Sequence, residues 1–170
     1  MKKFIVPVIL FVAVLTSCGP KKDPNLTYFE QANEYNDYII DEQSAVFDKY
    51  DALISSLEYG TSAEINDALS DLQGRSKEAV EKMNKLADFK KNVEFRDKAK
   101  ELYSFYSNAC DKELKELVGI FTKTEGEITD ADLARVDELS KYMDDGEKKY
   151  NDALIESQKV FAKKFNLVLY

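Results

Sequence analysis

The sequence of 170 residues predicts an all-α fold, an antiparallel up-down-up-down bundle of four long helices. Three observations lead to this prediction. Apolar residues recur every three or four positions over four long segments, as they do on the buried face of a helix. No segment shows the period of two that is typical of strands, and no proline follows Pro24. We expect the helices at residues 25–59, 62–90, 92–123 and 130–167.

The first two helices are defined by their apolar stripes and by the turn between them. The first stripe, over 25–59, consists of Phe29, Ala32, Ile39, Val46, Tyr50, Leu53 and Leu57. Gly60 ends this helix, and Thr61 with Glu64 has the form of a capping box that opens the next one. The second stripe consists of Ile65, Leu69, Leu72, Ala79, Val80, Met83 and Leu86. Gly74 costs about 1 kcal/mol relative to alanine inside a helix, so a kink or break is expected there. A three-helix arrangement with a split second element is the alternative.

The third and fourth helices follow the same pattern. The third has the most aromatic stripe, made of Phe95, Ala99, Leu102, Phe105, Tyr106, Ala109, Leu114, Leu117, Val118 and Phe121. Cys110 lies beside this stripe, and a lone cysteine in such a place is typical of a small buried side chain. Residues 124–128 form a loop, after which Thr129 caps the fourth helix. The fourth stripe consists of Leu133, Val136, Leu139, Met143, Tyr150, Leu154, Phe161 and Phe165.

The N-terminal segment has the organisation of a bacterial lipoprotein signal peptide. Two lysines precede an apolar run at 4–15, which is too short for the roughly 20 residues that a membrane-spanning helix needs. A Leu-Thr-Ser-Cys motif at 15–18 then matches the lipobox, in which the cysteine is acylated and the preceding peptide is removed. We therefore expect Cys18 to carry the lipid that holds the protein on a membrane.

The predicted domains follow from this cleavage site. We expect removal of the signal peptide at 1–17, a lipidated cysteine and short tether at 18–24, and a single helical bundle domain at 25–170. Two or more acyl chains give stable membrane attachment. In the bacterial lipoproteins that this segment resembles, an acidic residue after the cysteine often signals retention in the inner membrane. Gly19 at that position favours the outer membrane of a bacterial cell envelope.

Composition excludes several kinds of chemistry. Without residues 1–17 the chain holds 22 basic and 32 acidic residues, a net charge of −10 that repels phosphate backbones, so we expect no nucleic-acid partner. The chain contains no histidine, which removes the Ser/His/Asp and Cys/His catalytic groups and histidine ligation of zinc or haem. Adjacent acids such as Asp144 and Asp145 point about 100° apart on a helix and do not converge on a metal. We expect no catalytic residues, no metal site and no cofactor.

Four amide side chains interrupt the predicted stripes. Asn36 and Gln43 lie one heptad apart on the core side of the first helix, and Asn151 and Gln158 lie one heptad apart on the fourth. Amides in such positions are typical of a buried, hydrogen-bonded polar cluster that sets the register of two helices. The alternative is a polar pocket between the first and last helices that binds a small ligand or a metal.

Charge is distributed unevenly along the chain. Residues 25–60 hold eight acids and one lysine, whereas residues 75–123 hold twelve basic and nine acidic residues. We therefore expect an acidic outer face on the first helix, with Asp37, Asp41 and Glu42 as a partner surface. The chain also holds ten tyrosines, more than the stripes can bury, and a tyrosine at the rim of a fold suits an interface.

A sequence similarity concerns four short segments, at 35–43, 99–106, 128–132 and 158–165. In their order they resemble a family of small all-helical bacterial envelope lipoproteins of uncharacterised function. The resemblance implies a helical bundle on the cell envelope and implies no activity. The resulting hypothesis is a non-enzymatic, lipid-anchored module that binds another envelope protein or acts as a spacer. A small-ligand or metal-binding bundle is the alternative.

Overall fold

The computed structural model describes residues 22–169, and their regular structure is helical, so the predicted all-α class is confirmed. The helices are α1 (Ala32–Tyr59), α2 (Ser62–Lys85), α3 (Glu94–Asp111), α4 (Glu113–Phe121) and α5 (Asp130–Phe165), with a 3-10 turn at Glu125–Glu127. Helix α2 packs against α1 and α3, and α3 also packs against α5. Helix α4 contacts α2, α3 and α5. The predicted signal peptide and Cys18 lie outside the described residues.

The segment before α1 is extended, and α1 begins at Ala32 rather than at residue 25. The backbone of Thr27 forms a parallel bridge with Leu86: its N–H donates to the Lys85 carbonyl at 2.7 Å, and its carbonyl accepts from the Ala87 N–H at 2.8 Å. The second of these hydrogen bonds uses the Thr27 carbonyl, which a helix starting at residue 25 would need for its own backbone hydrogen bonds. The two bridge hydrogen bonds also hold the chain after α2 extended, which explains why α2 ends at Lys85 and not at residue 90.

The predicted third helix is two helices, α3 and α4, separated at Lys112. This residue has φ −132° and ψ −83°, and its N–H donates to the Ala109 carbonyl at 3.2 Å. Neither glycine nor proline marks the break in the sequence, so the apolar period alone could not reveal it. The break expected at Gly74 is wrong, because α2 continues through that residue, and the second element is therefore not split.

The two predicted helix N-caps are confirmed. Thr61 Oγ1 accepts from the Glu64 N–H at 3.3 Å, and the Glu64 carboxylate accepts from the Thr61 N–H at 2.7 Å. Thr129 and Asp132 make the equivalent pair at 3.2 and 2.9 Å. Hydrogen bonds from Lys123 and Thr129 together lower the pKa of Asp132 to about 2. The one from Lys123, at 2.6 Å, has the largest effect. The start of α5 therefore keeps its negative charge over the physiological pH range.

Two features of the packing position the surfaces described below. Gly146 of α5 lies against α3 so closely that a Cβ there would overlap the ring of Phe105. The segments 22–31, 86–93 and 161–169 lie at one end of the domain, because Thr27 is bridged to Leu86 and the Phe89 ring centre is 4.9 Å from that of Phe165. We call this end the entry end. Within residues 22–169, no helix has both the length and the apolar character needed to cross a bilayer.

Candidate functional site

The exposed side of α1 carries a row of acidic side chains, which we call the acidic stripe. Its members are spaced by three or four positions, or by seven where a serine lies between them, so they share one side of the helix. They are Glu34, Asp37, Asp41, Asp48, Asp51 and Glu58, all of them exposed. Ser44 and Ser55 occupy the two remaining positions of the pattern. At 1.5 Å per residue the stripe is about 36 Å long.

The acidic stripe has no cationic partner in the described part of the chain. Lys49, the one basic residue in α1, is 2.7 Å from Asp71 of α2 instead. Among residues 22–169, the side chains of Glu34 and Asp37 accept hydrogen bonds only from the neutral amides of Gln31 and Asn36. Acids three or four positions apart on a helix repel each other by about 0.2–0.5 kcal/mol per pair, and Glu58 also opposes the helix dipole in the last turn. The acidic stripe therefore lowers the stability of α1.

Glu42 does not belong to this exposed surface, and its prediction as part of a partner surface is wrong. Its side chain is 9% exposed. Its carboxylate accepts hydrogen bonds from Arg75 at 2.6 Å and from Lys82 at 3.0 Å, both on α2. The signal in the sequence was its spacing, because Glu42 continues the core line between Ile39 and Val46. Of the three predicted surface acids, Asp37 and Asp41 are the exposed ones.

The structure pairs the four predicted amides across α1 and α5. Gln43 Nε2 donates to Asn151 Oδ1 at 2.8 Å, and Gln158 Nε2 donates to Asn36 Oδ1 at 2.9 Å. All four side chains are partly buried. Because the amides are one heptad apart on each helix, both pairs form in the same register. Such contacts hold two helices in a defined alignment.

A groove of about 550 Å³ lies beside the Asn36–Gln158 pair, between the start of α1 and residues 166–169. Most of its lining side chains, Asp37 among them, are exposed to solvent. Within residues 22–169, no group of three or more cysteine, aspartate or glutamate side chains is placed to hold a metal ion. The predicted amide cluster and the acidic stripe thus differ, since the amides bind each other while the acidic stripe is exposed.

Other polar groups in the core link the helices. The Tyr103 hydroxyl donates to the Ile39 carbonyl at 2.7 Å, and the Tyr106 hydroxyl donates to Glu147 at 2.8 Å. Burial raises the pKa of both tyrosines. Cys110 is buried as predicted, and this burial raises its pKa to about 12, so the thiol is neutral at physiological pH.

Comparisons of the chain with protein-family models, with curated proteins and with solved structures find no match. The choice between the candidate sites therefore depends on the contacts that their side chains make within the domain. The amide pairs and Glu42 have their partners inside the domain, whereas the acidic stripe has no cationic partner among the described residues. The acidic stripe is thus the candidate interaction surface.

Proposed function

We propose that the chain is a non-enzymatic, lipid-anchored protein of the bacterial cell envelope that binds another envelope protein through the acidic stripe. The observation that carries this proposal is the row of six exposed carboxylates without a cationic partner in the described part of the chain. A row that lowers the stability of its own helix suits a partner with basic residues along a comparable length. The charge of such a partner would relieve the repulsion within the acidic stripe.

The proposed architecture is a single up-down-up-down four-helix bundle at 25–170, in which α3 and α4 together form the third helix. The packing of α2 on α1 and α3, and of α3 on α5, supports this arrangement. The amide pairs between α1 and α5 supply the fourth side of the bundle. In this architecture one flank of α1 faces α2 and the other faces α5, which leaves the acidic stripe on the outside.

The alternative function is a small-ligand or metal-binding bundle with its pocket at Asn36, Gln43, Asn151 and Gln158. The hydrogen bonds between these amides weigh against it, because a ligand would have to break them before it could bind. The groove beside Asn36 is lined mostly by exposed residues, and this gives little of the enclosure typical of small-molecule sites.

The lipid anchor is tested at Cys18, where the lipobox predicts cleavage and acylation. We expect the protein purified from bacterial membranes to begin at Cys18 and to carry acyl chains, as measured by intact mass. We also expect Cys18→Ala to abolish both changes. Cys110→Ala is the matched control and should leave them intact, because Cys110 is buried. An unprocessed or unmodified Cys18 in the wild-type protein would contradict the anchor.

The acidic stripe is tested with a photo-crosslinking amino acid placed in native cells. At Ser44, within the stripe, we expect a crosslink to a protein with a basic surface; at exposed Ser140 on α5, we do not. The triple variant Asp37→Asn, Asp41→Asn, Asp48→Asn should lower the Ser44 product about tenfold or more, since rim charges govern association. Its stability should stay equal or rise by up to about 1 kcal/mol, because repulsion within α1 is relieved.

A second triple variant controls for the change in net charge. Asp137→Asn, Asp144→Asn, Asp145→Asn removes three exposed carboxylates of α5 and should leave the Ser44 crosslink unchanged. Equal loss in both triple variants would mean that only the overall charge matters. Undiminished capture in the stripe variant would refute the proposed surface.

A further inference from the structure

The entry end of the domain is basic, although the domain as a whole is acidic. Its three segments, 22–31, 86–93 and 161–169, together hold five lysines and three acids. Two of these acids form ion pairs, because Lys22 is 2.6 Å from Glu30 and Arg96 is 2.7 Å from Asp88. The third, Asp23, is held by a local hydrogen bond from the Asn25 N–H at 2.9 Å.

Four lysines of this end have no carboxylate within ion-pair distance among the side chains that the structure describes. They are Lys90, Lys91, Lys163 and Lys164. The Lys90 ammonium is 6.0 Å from the centre of the Phe165 ring, and the Lys164 ammonium is 5.4 Å from the same centre. The fold therefore brings two positive charges that are far apart in the sequence to the same aromatic ring. We call Lys90, Lys91 and Lys164 the basic patch.

The turn that presents Lys90 and Lys91 is conformationally unfavourable for lysine. The Phe89 carbonyl accepts from the Asn92 N–H at 2.9 Å, and the two residues between them have φ 48° and φ 66°. Two consecutive left-handed residues are typical of a type I′ turn, in which Asn and Gly are preferred because other side chains are strained there. Strain kept in an exposed turn points to a role for the two lysine side chains outside the fold.

The start of the described chain lies next to this turn. Thr27 is bonded to Lys85 and Ala87, and Lys22 is the first described residue. Only three residues lie between Cys18 and Lys22, so the two are at most about 14 Å apart when the chain is fully extended. A lipid on Cys18 would therefore hold the entry end close to the membrane surface, with Lys22 within about 14 Å of the lipidated residue.

We infer that the entry end of the domain rests on an anionic phospholipid surface, with Lys90, Lys91 and Lys164 contacting lipid phosphates. This inference rests on the proposed lipid anchor at Cys18. Charge complementarity supports it, since juxtamembrane lysines are attracted to anionic headgroups. Because α1 begins at the entry end, the acidic stripe would extend away from the membrane.

The test uses the full protein, purified from its host membranes and reconstituted in two kinds of vesicle. One kind is phosphatidylcholine alone, and the other is phosphatidylcholine mixed with phosphatidylglycerol. A water-soluble amine reagent labels the lysines, and mass spectrometry measures each one. We expect labelling of the basic patch to fall about fivefold on the anionic vesicles, in line with the attraction of one surface lysine. Exposed Lys115 and Lys141 serve as internal controls and should not change.

The same sample separates the two proposals. Equal labelling of the basic patch on both kinds of vesicle would overturn the inference, whatever the state of Cys18. The mass of the Cys18 peptide reports the anchor by itself. An acylated Cys18 with an unprotected basic patch would therefore refute the membrane contact and leave the anchor standing.

A turn variant distinguishes a membrane role of the lysines from a structural one. Lys90→Asn with Lys91→Gly places preferred residues in the type I′ turn, so we expect a higher melting temperature. We also expect Lys164 to regain its labelling on anionic vesicles, because two of the three patch charges are gone. Continued protection of Lys164 in this variant would overturn the inference.

Discussion

Replacement of Glu42 by alanine is expected to lower the free energy of unfolding by about 3 kcal/mol. Removing one partner of a buried ion pair typically costs about 3–5 kcal/mol, because the other charge stays buried without a partner. Arg75, whose side chain is only 15% exposed, would keep only a longer contact of 3.7 Å with Glu78. Lys82 is 34% exposed and keeps its contact with Glu78 at 2.8 Å, which places the expected loss at the lower end. Urea unfolding followed by circular dichroism measures this loss.

The neighbouring residue provides the matched control for this experiment. Asp41 is exposed and belongs to the acidic stripe, so Asp41→Ala should change the free energy of unfolding by less than about 0.5 kcal/mol. Adjacent acids on one helix would then differ several-fold in their effect on stability. Equal urea midpoints for the two variants would show that Glu42 is not the buried link between α1 and α2.

Replacement of Phe161 by alanine is expected to cost about 3–5 kcal/mol, the range typical of a fully buried phenylalanine. Phe161 of α5 has no exposed surface. Its ring centre is 5.3 Å from that of Tyr35 on α1, 5.3 Å from Phe95 on α3 and 5.6 Å from Phe89 after α2. The variant would leave a cavity where these three parts of the chain meet α5. The midpoint of urea unfolding again measures the loss.

Val160 is the control for Phe161, because it is adjacent on α5 but 47% exposed. Val160→Ala should change the free energy of unfolding by less than about 0.5 kcal/mol. If both variants unfolded at the same urea concentration, the aromatic contacts of the entry end would not stabilise the protein. Loss of Phe161 should also loosen the support of the basic patch, since its ring centre is 4.8 Å from that of Phe165.

The proposed roles divide the charges of the domain by location. Acidic side chains form a row along α1. Lysines without a carboxylate partner among residues 22–169 lie at the entry end, where Phe161 packs against Phe165, the ring next to Lys90 and Lys164. A domain that contacts a membrane through its basic end would present the acidic stripe along a helix that leads away from that contact. Membrane binding and partner binding would then use separate surfaces, and variants at one should leave the other intact.

The sequence by itself determined the features that depend on nearby residues. The apolar period predicted helices and the side of each helix that is buried, including the position of Cys110. The caps at Thr61 and Thr129 were predictable because their hydrogen bonds join residues three positions apart. Exposure of Asp37 and Asp41 followed from the same helical period.

Only the tertiary structure decided the features that depend on which distant segments meet. The bridge between Thr27 and Leu86 set the start of α1 and the end of α2. The burial of Glu42 depended on cations from α2, since a carboxylate can enter a core only where its charge is compensated. The basic patch joined lysines from a turn and from the end of α5. Helix formation and capping are local, whereas burial of charge and the location of surface patches are properties of the packed chain.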